Sequence, residues 1–406
     1  MKLLLNKFFF VLILLFLISC EKENEREPFN LYRNSQRQSN YEDFGRFWTG
    51  VALLEKVSCT DTSGFIVFPL TISGNKFLTA TANGFIVCFE HMNLFWEYKL
   101  PQNEYVVSNI VATPAEDIIF ISNAKNLYSI SKEGRKNWMV ALDDTSKFFT
   151  TLLATKAGVY FASSSGFLYR IDFSGKILWK VLLPLPTTNC FTEYKDGRIV
   201  VNLTNDRLGE TDTVALLDTN GKFLWKRNFE RIRLLRYPIV WKDKIFVIGY
   251  KEENGQLVGY LICLDANGNT VWAKDFGIIP RYLSISESGE IYLILYNLGV
   301  GETISKIYKL DTSGNVLNTQ QITAIFYTPL FISQQIVGAL GYVRGNPVMV
   351  FFGTDLTLWK TIDFYKYPSV LNIPAILEDC TMIFVSSYGN YFVRVDENPI
   401  IKLLPW

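Results

Sequence analysis

The stretch Leu264-Asp265-Ala266-Asn267-Gly268-Asn269-Thr270-Val271-Trp272 decides the fold, because the chain keeps repeating it. Close copies end at Trp179, Trp225 and Asn318, a looser one with Ser131 in place of the aspartate ends at Trp138, and shorter versions end at Trp96 and Trp359. The motif ends therefore step by 42, 41, 46, 47, 46 and 41 residues, and six of the nine tryptophans fall on this grid, which chance does not produce. Physically the motif is a hairpin turn. An aspartate can accept a hydrogen bond from the backbone two residues on, and the glycine supplies the positive φ that closes the turn. Alternating apolar segments flank it, such as Phe167–Ile171 before and residues 177–181 after, with two further strand-like segments upstream. Helical periodicity is absent outside the first twenty residues.

Four short antiparallel strands per unit of roughly 44 residues predict an all-β chain folded as a single β-propeller of four-stranded blades. No Gly-His/Trp-Asp pair of the WD40 kind and no Gly-Gly doublet of the kelch kind occurs. The Asp-x-x-Gly-x-x-x-Trp turn instead resembles the tryptophan-docking repeat of the PQQ-like, quinoprotein-type propellers, over roughly residues 64–405. That resemblance implies that each tryptophan packs on the neighbouring blade's turn. Dividing this length by the mean step predicts eight blades, the last over residues 375–404 with a shortened turn at Asp396-Glu397-Asn398-Pro399. Seven is the alternative if the first unit, with weak early strands around residues 65–70, folds differently. Stacked blades bury their faces on one another, so the length poses no difficulty for a single ring.

The amino terminus reads as a sorting signal. Lys2 and Lys7 precede an apolar run of eleven residues, Phe8 to Ile18, shorter than the roughly 20 needed to span a bilayer. The run ends in Leu17-Ile18-Ser19-Cys20, which resembles the bacterial lipobox and implies cleavage before Cys20 and lipidation of its thiol. Several acyl chains hold a protein on a membrane durably without spanning it. Residues 21–46 carry eleven charges and few aliphatics, the composition of a tether. The organisation is thus 1–19 signal peptide, 20–46 lipidated cysteine and flexible tether, and 47–406 propeller. Glu21-Lys22-Glu23-Asn24-Glu25 partly resembles the acidic export signal of some surface lipoproteins of Bacteroidetes-type bacteria. The expected location is the bacterial outer membrane, either periplasm-facing or surface-exposed.

Composition removes whole classes of function. Of 406 residues 49% are hydrophobic and 19% charged, which excludes a largely disordered chain. Forty basic against 39 acidic residues give no electrostatic footprint for nucleic acid, and the single histidine, His91, leaves little for a His-based metal site or a Ser-His-Asp triad. With Cys20 acylated, five cysteines remain; Cys88 and Cys263 lie in apolar runs that predict buried thiols, and no CxxC occurs. Quinoprotein dehydrogenases resemble one another in a vicinal Cys-Cys pair beside the quinone, which this chain lacks. The adjacent acids Glu116-Asp117, Asp143-Asp144 and Glu252-Glu253 read as solvated loop residues rather than a general acid–base pair, and His91 as a turn residue. Asn205, Asp206, Glu210 and Asp212 lack the alternate spacing of an established calcium loop. No catalytic residue, metal or cofactor is therefore assigned, and the chain is expected not to be an enzyme.

What remains is asymmetry among loops. Connections between second and third strands are tight in most units but lengthen at residues 205–213, 251–259 and 297–303, in three consecutive units. Beside that lip Arg231, Arg233 and Arg236 alternate with apolar residues and Tyr237, and Arg281 and Tyr282 occupy the next crossover. Alternate residues of an extended strand share one side, and arginine and tyrosine anchor interfaces. The chain accordingly reads as a non-enzymatic, lipid-anchored scaffold making protein–protein contacts through loops on one face. Its fold and anchor together resemble the propeller lipoprotein of the bacterial outer-membrane barrel-assembly machinery. The alternative is a surface lipoprotein binding a glycan or other extracellular ligand, with a degenerate quinoprotein third.

Overall fold

The computed structural model describes residues 70–363 except 73–75, 92, 144–151, 185–190, 205–210, 297–303, 333–335 and 344–345, together with strands at 52–56, 375–376, 382–385 and 391–395. Among these residues the sole helical turn is Lys195–Gly197, and everything else regular is antiparallel β. Eight sheets follow one another around a ring. Blade 1 is built from Leu70–Thr71, Lys76–Ala80, Phe85–Glu90 and Asn93–Lys99; blades 2 to 7 start at residues 111, 153, 191, 233, 280 and 325. Innermost strands of successive blades touch one another from blade 2 to blade 7, a shared core layer joins blades 1 and 2, and the innermost strand of blade 1 touches that of blade 8, which brings the two ends of the series together.

Blade 8 departs from the expected boundaries. Its three inner strands are Ala375–Ile376, Met382–Val385 and Tyr391–Val395, but its outermost strand is Ala52–Lys56, paired from Ala52↔Val395 to Lys56↔Tyr391. The eighth unit is not a continuous segment ending near residue 404. A blade completed by both chain ends ties the ring shut with main-chain hydrogen bonds, where a fourth strand from the carboxyl terminus would leave blades 8 and 1 joined by side-chain packing alone. The signal, Cys20, the tether, Cys59, Cys190 and Cys380 lie outside the described residues.

Inner strands are apolar without alternation, such as Phe85–Glu90 and Ile291–Tyr296, because a blade is covered on both faces by its neighbours. The core is therefore a set of layers between blades: Leu78, Ile86 and Cys88 of blade 1 meet Ile118, Phe120 and Tyr128 of blade 2, and Tyr160, Ile199 and Leu217 fill the next but one. Cys88 and Cys263 are wholly buried free thiols, as the sequence predicts. Outermost strands such as Ile177–Leu182 alternate, with one face on the neighbour and one in solvent.

The tryptophans lock these layers. Each indole nitrogen donates to a carbonyl in the next blade's turn: Trp96 to Lys132 (2.8 Å), Trp138 to Phe173 (2.9 Å), Trp179 to Thr219 (2.7 Å), Trp225 to Ala266 (2.9 Å) and Trp272 to Thr312 (3.1 Å). The turn glycine is required twice over: Gly268 has φ +80°, and a Cβ there would stand 2.7 Å from the Trp225 ring. Asn318 stands where a tryptophan would, and its side-chain amide donates to the backbone carbonyl of Asp355 in the next turn. The grid fails at Trp359. In each blade from 3 to 6 one residue bulges just before the docking position, and the same register in blade 7, with Phe351↔Lys360 and Phe352↔Leu358, puts Trp359 in the bulge and Lys360 at the docking position. Trp359 lies near its own blade's Gly353 instead.

Candidate functional site

The basic crossover is shaped by a buried carboxylate and two reversals of the backbone. After the outermost strand of blade 4, Phe223–Phe229, the chain crosses at residues 230–232 and enters the innermost strand of blade 5, Arg233–Trp241. Asp212 is 2% exposed, and its Oδ2 accepts the Leu234 N–H at 2.7 Å, pinning the entry to blade 5. That use of Asp212 is structural; Asn205, Asp206 and Glu210 lie outside the described residues. Among the described residues, no three His, Cys, Asp or Glu side chains are grouped to hold a metal ion.

The alternation expected of the arginines does not occur. Arg231 and Arg236 both adopt left-handed backbone, with φ of 60° and 59°. The ladder jumps from Leu235↔Ile248 to Ile239↔Phe246, so Arg236, Tyr237 and Pro238 together face the single residue Val247. A bulge tolerates Pro238, which has no N–H to give a ladder. Asn202 Nδ2 donates to the Arg236 carbonyl at 2.9 Å and holds the bulge in place.

Of the six singled-out residues, the structure separates arginines from tyrosines. Tyr237 and Tyr282 are buried, the former in the layer between blades 5 and 6 and the latter in that between 6 and 7. Tyr282 donates its hydroxyl to the Tyr327 carbonyl at 2.8 Å. Tyr282 supports an arginine: the Arg236 guanidinium lies 4.9 Å over its ring, and that of Arg281 lies 5.0 Å over Tyr296. Arg231 is exposed, and Arg233 is half-buried at the strand's start. Glu230, also exposed, immediately precedes Arg231 in the same crossover as the one carboxylate of that segment. A cleft of about 440 Å³ opens beside it, between Arg227 and Phe229 of blade 4 and Ile262 and Ala273 of blade 5.

The lip differs from expectation as well. Residues 251–259 are not a loop: strands Lys244–Glu253 and Gln256–Leu264 stay paired to Glu253↔Gln256 and form a ribbon projecting past the flanking strands. Asn254 and Gly255 close it, both with positive φ, as a two-residue hairpin turn demands. The Asn-Gly pair was the signal in the sequence, hidden there by the charged run before it. A second missed feature is Trp241, whose indole donates to the Glu287 carbonyl at 3.1 Å and packs on Gly289; Ser286-Glu287-Ser288-Gly289 repeats the spacing of Ser131-Lys132-Glu133-Gly134.

Two of the loop carboxylates are engaged in structural contacts, and Asp144 lies outside the described residues. Glu116, in a turn, faces Lys132 at 3.8 Å. Glu253 pairs with Lys251 and accepts the Tyr260 hydroxyl at 2.9 Å; the Lys251 contact first, then Tyr260, holds its carboxyl below the ordinary value. A general acid needs the opposite shift. His91 is an exposed turn residue with φ 47°.

The family model described as outer membrane protein assembly factor BamB matches residues 82–295, more than half of the chain. No curated protein sequence matches. Among solved structures, BamB from Moraxella catarrhalis superposes with a TM-score of 0.59 at 14% identity, over 84% of this chain and 100% of that one. Sqt1 from Saccharomyces cerevisiae gives 0.60 at 11%, over 86% and 99%, and a virginiamycin B lyase from Staphylococcus aureus 0.50 at 12%, over 86% and 99%. At such identities the three share a propeller fold with this chain, and their differing roles carry no reaction over to it.

Proposed function

Since the chain belongs to the family of the outer membrane protein assembly factor BamB, we propose that it is a non-enzymatic, lipid-anchored scaffold of the bacterial cell envelope. In this reading Cys20 carries the lipid, the membrane is the outer membrane, and a partner protein of the envelope docks on the face bearing the blade crossovers. The observation that carries it is the placement of Arg231 on the crossover into blade 5 and of Arg233, Arg236 and Arg281 on the innermost strands of blades 5 and 6, two of them braced over tyrosine rings. A guanidinium held over an aromatic face loses less freedom on binding, the property of an interface anchor. Tyr282 and Tyr296 act beneath Arg236 and Arg281 as a rigid floor.

The test is photo-crosslinking in the native organism, with a reactive residue replacing Arg231 or Arg233, followed by mass spectrometry. A discrete envelope-protein adduct at both positions is expected. A folded, anchored variant that yields no protein adduct overturns the interface. Palmitate incorporation lost in Cys20→Ser checks the anchor separately.

A further inference from the structure

The outermost strands of blades 1 to 7 carry a bulge at one level of the ring, just after the turn into that strand, with the polar Asn137 as the extra residue in blade 2. The extra residue there is Phe95, Leu178, Leu224, Val271, Leu317 or Trp359 in blades 1 and 3 to 7, each large, apolar and more than a third exposed. The bulge itself protects an edge strand from pairing with another chain. Its side chain has no such duty, and it is aromatic in two blades alone among these. Phe95 is 46% and Trp359 41% exposed, with Leu94 and Leu358 beside them exposed too. Those two blades, 1 and 7, are the neighbours of blade 8.

Blade 8 is also where the amino-terminal chain enters. Ala52 pairs with Val395 at the end of the third strand, so the chain arrives at the level at which Phe95 and Trp359 bulge outward in the flanking blades. Cys20 lies 32 residues before Ala52, a length that with coil statistics would reach roughly 30 Å. A lipid at Cys20 would keep this rim within that reach of a bilayer. Phenylalanine, leucine and tryptophan partition into the interfacial region, and the Lys76 ammonium, paired with Glu90 at 3.5 Å, lies 4.2 Å from the Phe95 ring centroid.

We infer that the rim bracketing blade 8 is a bilayer-contacting edge, with Phe95 and Trp359 seated in the headgroup region on either side of the tether. The inference rests on the lipid anchor proposed at Cys20. It also fixes an orientation. A four-stranded antiparallel blade puts the turn into its last strand on one face and the crossover to the next blade on the other. The tether therefore joins the face opposite the arginine-bearing crossovers, and blades 4 and 5 lie across the ring from blades 8 and 1. The arginines point away from the membrane that holds the chain.

The test uses the full lipidated chain in phosphatidylethanolamine–phosphatidylglycerol vesicles containing lipid brominated on its acyl chains. Subtracting the emission of Trp359→Phe isolates Trp359 from the other tryptophans. Its emission is expected to be blue-shifted, to lose most of its intensity to the brominated lipid, and to resist aqueous iodide. Phe95→Ser should weaken that quenching, whereas Leu178→Ser, at the same bulge in blade 3, should leave it unchanged. Trp359 emission indifferent to bromine and open to iodide overturns the inference. Flotation separates this from failure of the anchor: if Cys20→Ser floats with vesicles as well as the native chain, the anchor falls and the edge is judged by quenching. If the native chain floats and Trp359 is not quenched, the edge alone falls. A native chain that does not float at all overturns both.

Discussion

At the scale of single residues, the turn aspartates show how one side chain organises a hairpin. Asp311 Oδ1 accepts the N–H groups of Ser313 and Asn315 at 2.8 and 2.9 Å, and its Oδ2 accepts Asn315 Nδ2 at 2.8 Å. The Asn315 amide foremost, with the backbone donors after it, holds this carboxyl below its ordinary 3.8. A depressed folded value means stability present above pH 3.8 and lost as the pH falls through the folded value. Asp311→Asn should therefore be less stable than the native chain at pH 6, with the difference closing below pH 3.8 in urea titrations. The cysteines respond to burial in the opposite sense. Desolvation pushes the Cys88 thiol up to about 12 and that of Cys263 to about 11, so neither forms a reactive thiolate near neutrality. Iodoacetamide at pH 8 is expected to leave both unmodified in the folded protein and to label both in denaturant, read by peptide mass spectrometry.

Within a strand pair, two glycines with nearly equal φ do different work. Gly255 at φ +76° has nothing within 4 Å of an added Cβ, whereas at Gly268, φ +80°, the Trp225 ring stands 2.7 Å away. Gly255→Ala should cost about 1 kcal/mol through backbone strain alone. Gly268→Ala adds a clash with the docked indole and should cost about 2–4 kcal/mol, because the neighbouring blade must shift. Equal losses in chemical denaturation would show that docking contributes nothing beyond the turn. The turn-and-tryptophan pair was legible in the sequence because both partners recur at fixed spacing. The projecting ribbon of blade 5 was not, because a long hairpin and a long loop share a composition rich in charge, and only pairing distinguishes them.

For the whole ring, closure is the weak point. Tryptophan docking joins blades 1 to 6 in series, Asn318 substitutes at the junction of 6 and 7, and Trp359 is out of register at the junction of 7 and 8. Blade 8 is held instead by the main-chain ladder of Ala52–Lys56. A chain starting at residue 47 should keep the native melting temperature, whereas one starting at residue 57 removes the outermost strand of blade 8 and exposes its neighbour's edge. The shorter chain is expected to melt several degrees lower, as about 2 kcal/mol or more would shift a domain of this size, and to exchange amide hydrogens fastest at residues 391–395. Identical melting of the two chains would mean that the strand does not close the ring.

The class of fold, the repeat and the tight turns were legible in the order of residues, because a hairpin's hydrogen bonds and a blade's buried faces are local and recur every forty-odd residues. That order also marked out Arg231, Arg233, Arg236 and Arg281, since charge in a weakly charged chain stands out. The side of the arginines, the burial of Tyr237 and Tyr282, the displaced Trp359 and the completion of blade 8 by residues 52–56 were decided by the tertiary structure alone. Each depends on contacts between segments far apart in the chain, or on a one-residue shift of register, and a shift of one residue turns a strand's side chains to the opposite face without altering composition.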